Sequence, residues 1–422
     1  MSGTANKNYT EFCSYLLSAV AFSLPLSAHW ATFFVVALIV SSVILGNRIF
    51  FLNNLKRNST FVLCISYFVW HVIGLVYSNN NFYGLHDIET KLSFIVFPVI
   101  FSLIKFNDYH IKRVFRALVA GCEVALALCL INALLKFKLQ QTPVVFFYTH
   151  FSKFLHPAYF SIYLTVAVIF LIGSAFDEAY FNKPFRMTFF FISLIVLEAG
   201  IVMLYSRMAI LTALLIVVIF TIYKYKQNNK SSWLATIVFA SLLVCILAQF
   251  KITDVYNRFK QLESVSVTST QHNYTSDSIN VKPVEYNSAS SRVILWKHAA
   301  NLWLSSPSTF VLGVGTGDIK DELRKNYEAS GFEKGVTQNY NPHNQFLQTA
   351  VAVGIVGLLL LLTILVLPFL KSNNNKLILF FVGIFFFNGL TESILEVQSG
   401  IIFFCLFYCL LSANQFVSET ET

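Results

Sequence analysis

Apolar residues in this chain come in long blocks instead of alternating with polar ones. A helix needs about 20 apolar residues to cross the hydrocarbon core of a bilayer, fewer where its ends snorkel. Runs of that kind lie near 12–27, 29–45, 60–77, 91–106, 114–135, 157–176, 187–205, 208–223 and 232–250. A polar stretch follows, and three more runs near 343–370, 377–391 and 399–413 complete twelve expected spans. The first run has no basic cluster before it, only Lys7 and Glu11, and no small-residue cleavage site, so it is kept as a span. The pattern predicts three parts: helices one to nine over 1–250, an extramembrane loop over 251–342, and helices ten to twelve with a cytoplasmic tail over 343–422. Neither a repeated block nor a matched pair of Gly- or Pro-broken spans is visible, unlike the pattern of an inverted-repeat transporter.

Composition agrees with this plan. Of 422 residues, 56% are apolar and 12% charged, and the mean hydropathy is +0.64, far from the balance of a soluble domain. The chain therefore reads as an all-α polytopic membrane protein. Cys13, Cys64, Cys122, Cys129, Cys245, Cys405 and Cys409 all lie in apolar runs without CxxC spacing, which argues against a disulfide framework and a thiolate metal site. A net charge of +9 in a soluble chain would suggest nucleic acid, but in a membrane chain the placement of the charges matters more than their sum, and no nucleic-acid partner is expected.

That placement is uneven. With the N-terminus in the cytoplasm, 15 Lys and Arg fall inside, from Lys7 through Arg48, Arg113 and Lys224 to Lys376. The short loops on the other face carry five, namely Lys91, Lys136, Lys138, Lys153 and Arg207. The bias sets the expected orientation. The loop 251–342 holds ten basic and nine acidic residues, and long translocated segments are exempt from the rule, so it is expected outside the cytoplasmic membrane.

Within that loop, 264–291 is polar, rich in Ser and Thr and without helical period, and reads as a mobile stretch. A helix is expected from Arg292 to about Leu304, N-capped by Ser290 or Ser291, with Arg292, Trp296, Ala299 and Trp303 on one face. Its two tryptophans suggest a helix at headgroup level. LGVGTGD at 312–318 lacks the strand and the spacing of a nucleotide loop and reads as a structural turn. In NPHNQFLQ, Asn341 is expected as N-cap and Pro342 as the first helical residue, which puts His343 in the first turn of the tenth span. A helix N-terminus favours a bound anion and a neutral, proton-accepting imidazole.

Other charges fall among apolar residues. Arg207 lies between two runs on the same expected face as Arg292 and His343. Alone it reads as a snorkelling arginine. Together, two guanidinium forks and one neutral base match what a diphosphate-linked substrate requires. His71, Glu123 and Glu198 lie at similar depth in their spans, where a buried structural cluster is geometrically possible. Glu392 and Glu396 follow the eleventh span and are placed to face the same cavity as His343.

Four features in order resemble the O-antigen ligase family, whose wider group includes O-antigen polymerases and protein O-oligosaccharyltransferases. They are Ser206–Arg207 before a span, R-x-x-x-W from Arg292 to Trp296, LGVGTG at 312–317, and HNQFL opening the tenth span. The shared region runs from roughly 190 to 370, and the twelve-span plan extends the similarity over most of the chain. One departure is Ala352, where the family often has an acidic residue two positions before the glycine, here Gly354.

The resemblance implies a GT-C-type, metal-independent glycosyltransferase of the bacterial inner membrane that works on the periplasmic face without a cofactor. Its donor would be an undecaprenyl-diphosphate-linked glycan and its acceptor the lipid A core, both presented in membrane lipids. Carried over by position, Arg207 and Arg292 bind the diphosphate and His343 is the base, with inversion at the anomeric carbon. Asn344, His156 and Glu392 are possible auxiliaries. Polymerase and protein-glycosylation activities use the same donor and remain alternatives; a lipid-linked oligosaccharide transporter is the reading from a different class.

Overall fold

The computed structural model describes residues 3–46, 51, 55, 58–176, 184–227, 238, 240, 288–371 and 376–413. The ninth expected span apart from residues 238 and 240, the polar stretch up to 287 and the tail after 413 lie outside the described residues. Among the described residues all regular structure is helical. Six helices among those residues are long and apolar enough to cross a membrane, and shorter apolar helices accompany them. The chain is a multi-pass membrane protein. It divides into two compact units, one formed by 1–125 with 292–422 and the other by 126–291.

In the first unit, α1 (Gly3–Ser23) and α2 (Ala28–Leu45) form a hairpin in which the Ser27 side chain caps α2 by accepting from the Trp30 amide. Asn58 caps α3 (Ser59–Val76) in the same way, through the Thr60 amide. Where one continuous run was expected over 91–106, the chain makes α4 (Asn81–Lys91) and α5 (Ser93–Leu103). With 11 residues α5 rises only about 16 Å, short of the ~30 Å hydrocarbon core. Lys91 is not in a loop: it ends α4 and is 0% exposed. The long α6 (Asp108–Gln140) follows, its residues up to 125 in the first unit and the rest in the second.

The second unit centres on α7 (Pro157–Ala175), which packs against α8 (Pro184–Leu204) and α9 (Arg207–Gln227). Almost every side chain of α7 is buried, as expected of a helix that is apolar on all sides.

Returning to the first unit, α10 (Ser288–Trp303) begins earlier than expected, so Ser290 and Ser291 lie within it and do not cap it. Its inward face carries Leu295, Ala299 and Leu302, while Arg292 and Trp296 are half-buried at its edge. Next come α11 (Pro307–Leu312), α12 (Ile319–Ala329) and α13 (Glu333–Gln338). The apolar spans α14 (Gln345–Lys371), α15 (Leu377–Gly389) and α16 (Gln398–Ala413) close the unit. Residues Ser399 to Ser412 of α16 are all buried, and Phe404 meets Phe94, Phe381, Phe385 and Tyr408 in an aromatic core.

α14 is broken at Val353 and Gly354, where the backbone leaves helical geometry. The LGVGTGD turn fills the break. Val314 and Gly315 donate to the carbonyls of Val351 and Ala352 (2.8 and 3.0 Å), and the Trp70 indole donates to that of Val353 (2.8 Å). Carbonyls freed from a membrane helix must find donors inside the protein, and the turn supplies them. Gly354 has φ +68°, and a Cβ there would stand 2.1 Å from the Val311 carbonyl oxygen. Asp318 closes the turn, its carboxylate accepting from the backbone amides of Asn79 and Asn80 at 2.8–3.0 Å. The motif is thus a packing element, and Ala352 is buried beneath it.

Candidate functional site

His343 sits where α14 begins, although not inside it. The helix starts at Gln345, and its N-cap is Asn344, whose Oδ1 accepts from the amides of Phe346 (2.9 Å) and Leu347 (3.0 Å). Asn341, the expected cap, instead accepts from the His343 amide (2.9 Å) in a local turn. Both asparagines can cap, and the chain uses them in series. His343, held between them, takes a left-handed φ of +46° that few residues other than glycine adopt. The Asn344 side-chain amide also donates to the Leu390 carbonyl (3.1 Å), tying the start of α14 to the turn after α15.

That turn delivers Glu392, whose side chain is only 8% exposed. Its Oε1 accepts from Arg292 Nη2 at 2.7 Å and its Oε2 lies 3.3 Å from His343 Nδ1. Three residues far apart in sequence thereby form one chain: guanidinium, carboxylate, imidazole. Arg292 and His343 remain about one-third exposed (30% and 32%). Of the five N–H groups of the Arg292 fork only one nitrogen is engaged among the described residues. His343 Nε2 likewise has no hydrogen-bond partner among them. A carboxylate on Nδ1 selects the tautomer with the proton there and leaves the Nε2 lone pair open to accept another.

Linked to it through Gln345 is a second polar cluster. Lys91 Nζ reaches Asp87 (2.5 Å) and Glu396 (3.2 Å). Glu396 also accepts from the Gln345 side chain (3.2 Å), and Gln345 touches Thr349, which meets the Tyr67 hydroxyl. Burial would lower the Lys91 ammonium, but Asp87 and Glu396 hold it above the ordinary lysine value. Burial raises the Glu396 carboxyl, against the pull of Lys91. His71, for which a buried cluster with Glu123 and Glu198 was geometrically possible, lies 3.7 Å from the Asp87 carboxylate. Depth along a span fixes height and not the direction a side chain faces.

Two of the remaining expected residues belong to the second unit. Arg207 is the exposed first residue of α9, in the second unit. His156, in the same unit, caps α7 by accepting from the Ala158 amide (3.4 Å), with Pro157 at the first helical position. Glu396 points inward to Lys91 and not toward His343, unlike Glu392. Sequence reasoning missed Asp87, Lys91 and Gln345. The available signal was the i, i+4 spacing of Asp87 and Lys91 on a short amphipathic helix.

These observations define a class: a multi-pass helical membrane protein in which an arginine, a carboxylate and a histidine are linked by side-chain contacts. Residues 189–362 match the family model described as O-Antigen ligase, so this region of the chain is similar to the O-antigen ligase family. The match supports membrane glycan transfer of the ligase or polymerase type as a general activity. It includes Arg207, Arg292 and His343 and ends before Glu392. The comparison with curated proteins gives no match.

Proposed function

We propose that the protein is an O-antigen ligase, a GT-C-type enzyme that moves a glycan from undecaprenyl diphosphate to the lipid A core on the periplasmic face of the inner membrane. The observation that carries this reading is Glu392, which holds His343 by Nδ1 and Arg292 by Nη2 and, among the described residues, leaves His343 Nε2 and most of the guanidinium fork open. Nε2 takes the proton of the acceptor hydroxyl as its oxygen attacks the anomeric carbon. The bond from that carbon to the diphosphate oxygen breaks, and the configuration inverts. The fork of Arg292 neutralises the leaving diphosphate, with Arg207 as the second guanidinium. Arginine supplies this charge at every physiological pH, so no divalent ion is required. Asn344 acts by position, since its side chain is occupied with the α14 amides and the Leu390 carbonyl. His156 is taken up by its capping bond.

The test uses purified protein with lipid-linked donor and lipid A core acceptor. His343→Ala is expected to abolish transfer and keep donor binding, while Arg207→Ala and Arg292→Ala weaken donor binding. Full transfer by His343→Ala refutes the assignment. EDTA is expected to leave the rate unchanged. In a deletion strain, bare lipid A core with accumulated carrier-linked polymer supports the ligase. Core bearing a single repeat identifies a polymerase, and an unglycosylated exported protein identifies protein glycosylation.

A further inference from the structure

The cluster around Lys91 takes no part in the proposed chemistry, yet it is the most buried charge arrangement described beside the site. Lys91 is 0% exposed. Taking an ammonium out of water costs several kcal/mol, and a site needing only to be filled is served better by an apolar side chain. What the lysine provides is a set of directed bonds. On one side it holds Asp87 of its own helix, and on the other Glu396, 305 residues further along.

Glu396 passes the link to the Gln345 side chain (3.2 Å), and the Gln345 Oε1 accepts from the Leu395 amide (2.7 Å). Gln345 lies two residues after His343, and Glu396 lies four residues after Glu392. The two anchored residues therefore sit on the same two backbone segments that carry the histidine and its carboxylate. The Asn344 bond to the Leu390 carbonyl ties those segments on the other side of the pair.

We infer that Lys91, acting through Asp87 and Glu396, is a positioning residue for glycan transfer, fixing the 392–396 turn against the start of α14 so that Glu392 meets His343. This rests on the function proposed above. Its consequence is coupling: Lys91 matters to turnover to the extent that the Glu392 carboxylate is present to be positioned. A lysine that only stabilises the fold affects both backgrounds equally.

A double-mutant cycle tests this. Turnover and thermal midpoint are measured for the full-length protein, Lys91→Met, Glu392→Gln and the double variant. Lys91→Met is expected to lower turnover about tenfold or more alone and by less than about threefold in the Glu392→Gln background. Equal fold-losses in the two backgrounds overturn the inference. Should Lys91→Met not yield folded protein, Glu396→Gln enters the same cycle with the same expectation, because it keeps the side-chain length and removes the charge that Lys91 holds. Full turnover in His343→Ala removes the proposed function and this inference with it. Loss in His343→Ala together with an additive cycle removes this inference alone.

Discussion

Glu392→Gln separates orientation of the histidine from binding of the donor. The carboxylate accepts on both oxygens, from Arg292 at 2.7 Å and beside His343 Nδ1 at 3.3 Å. An amide of the same shape has one accepting and one donating end. Arginine only donates, so the amide oxygen stays with Arg292 and the NH2 group turns to the imidazole. His343 Nδ1 must then accept, which places the ring proton on Nε2, and the atom meant to take the acceptor's proton is blocked. A hydrogen bond to a charged group contributes about 1.5–3 kcal/mol, and 1.4 kcal/mol is tenfold in rate, so turnover is expected to fall roughly 10- to 100-fold. The donor KM is expected to stay within about threefold, because the guanidinium keeps a partner and its free N–H groups.

The assay is transfer from lipid-linked donor across pH 6 to 9, with the thermal midpoint recorded on the same sample. Raising the pH is not expected to rescue the variant, since the amide that donates to Nδ1 does not titrate and keeps selecting the wrong tautomer. Turnover within twofold of the unmodified protein, or a loss tracking the folded fraction, refutes the assignment of Glu392 as the group that orients His343.

Gly354→Ala is expected to lower the thermal midpoint: a side chain at this φ and ψ costs about 1–3 kcal/mol, and its Cβ would stand 2.1 Å from the Val311 carbonyl; an unchanged midpoint refutes the close approach of α11 to the break in α14. Asn344→Ala removes the cap of α14 and the tie to Leu390, costing about 1–2 kcal/mol and lowering turnover; Asn344→Asp keeps the cap and is expected to recover most of the stability, and equal losses in the two variants argue against capping. Burial and Lys297 hold the His298 ring below its ordinary value, so the unfolded chain takes up a proton there before the folded one does. Stability is therefore lost as the pH falls below about 6.5, and His298→Phe, which keeps the ring against Phe332 and Tyr327, is expected to reduce that dependence; an unaltered pH profile counts against it.

How far the site could be read from residues follows from what kind of contact each one makes. Helix positions were legible because an apolar run must be buried or lie in lipid wherever it sits, and α3, α7 and α14 begin and end within a few residues of their runs. His343 was legible as a residue at a helix start, since capping is local. Its exact register was not, because NPHN offers two asparagines and the choice fell on the one that also reaches Leu390. Glu392 was visible only as an acidic residue after an apolar run; its two partners, 49 and 100 residues away, decide its role.

Lys91 shows the limit most clearly. A lysine opening an apolar run satisfies every local expectation of an interfacial residue, and it was counted among the basic residues of an exposed loop. Its burial depends on Glu396, which no local pattern connects to it. The sign of such a charge in the sequence says only that it needs a partner. Whether that partner is water, lipid headgroup or a distant carboxylate is set by which helices pack together. For that reason the residue least suspected from the sequence is the one on which the geometry of the histidine is here argued to depend.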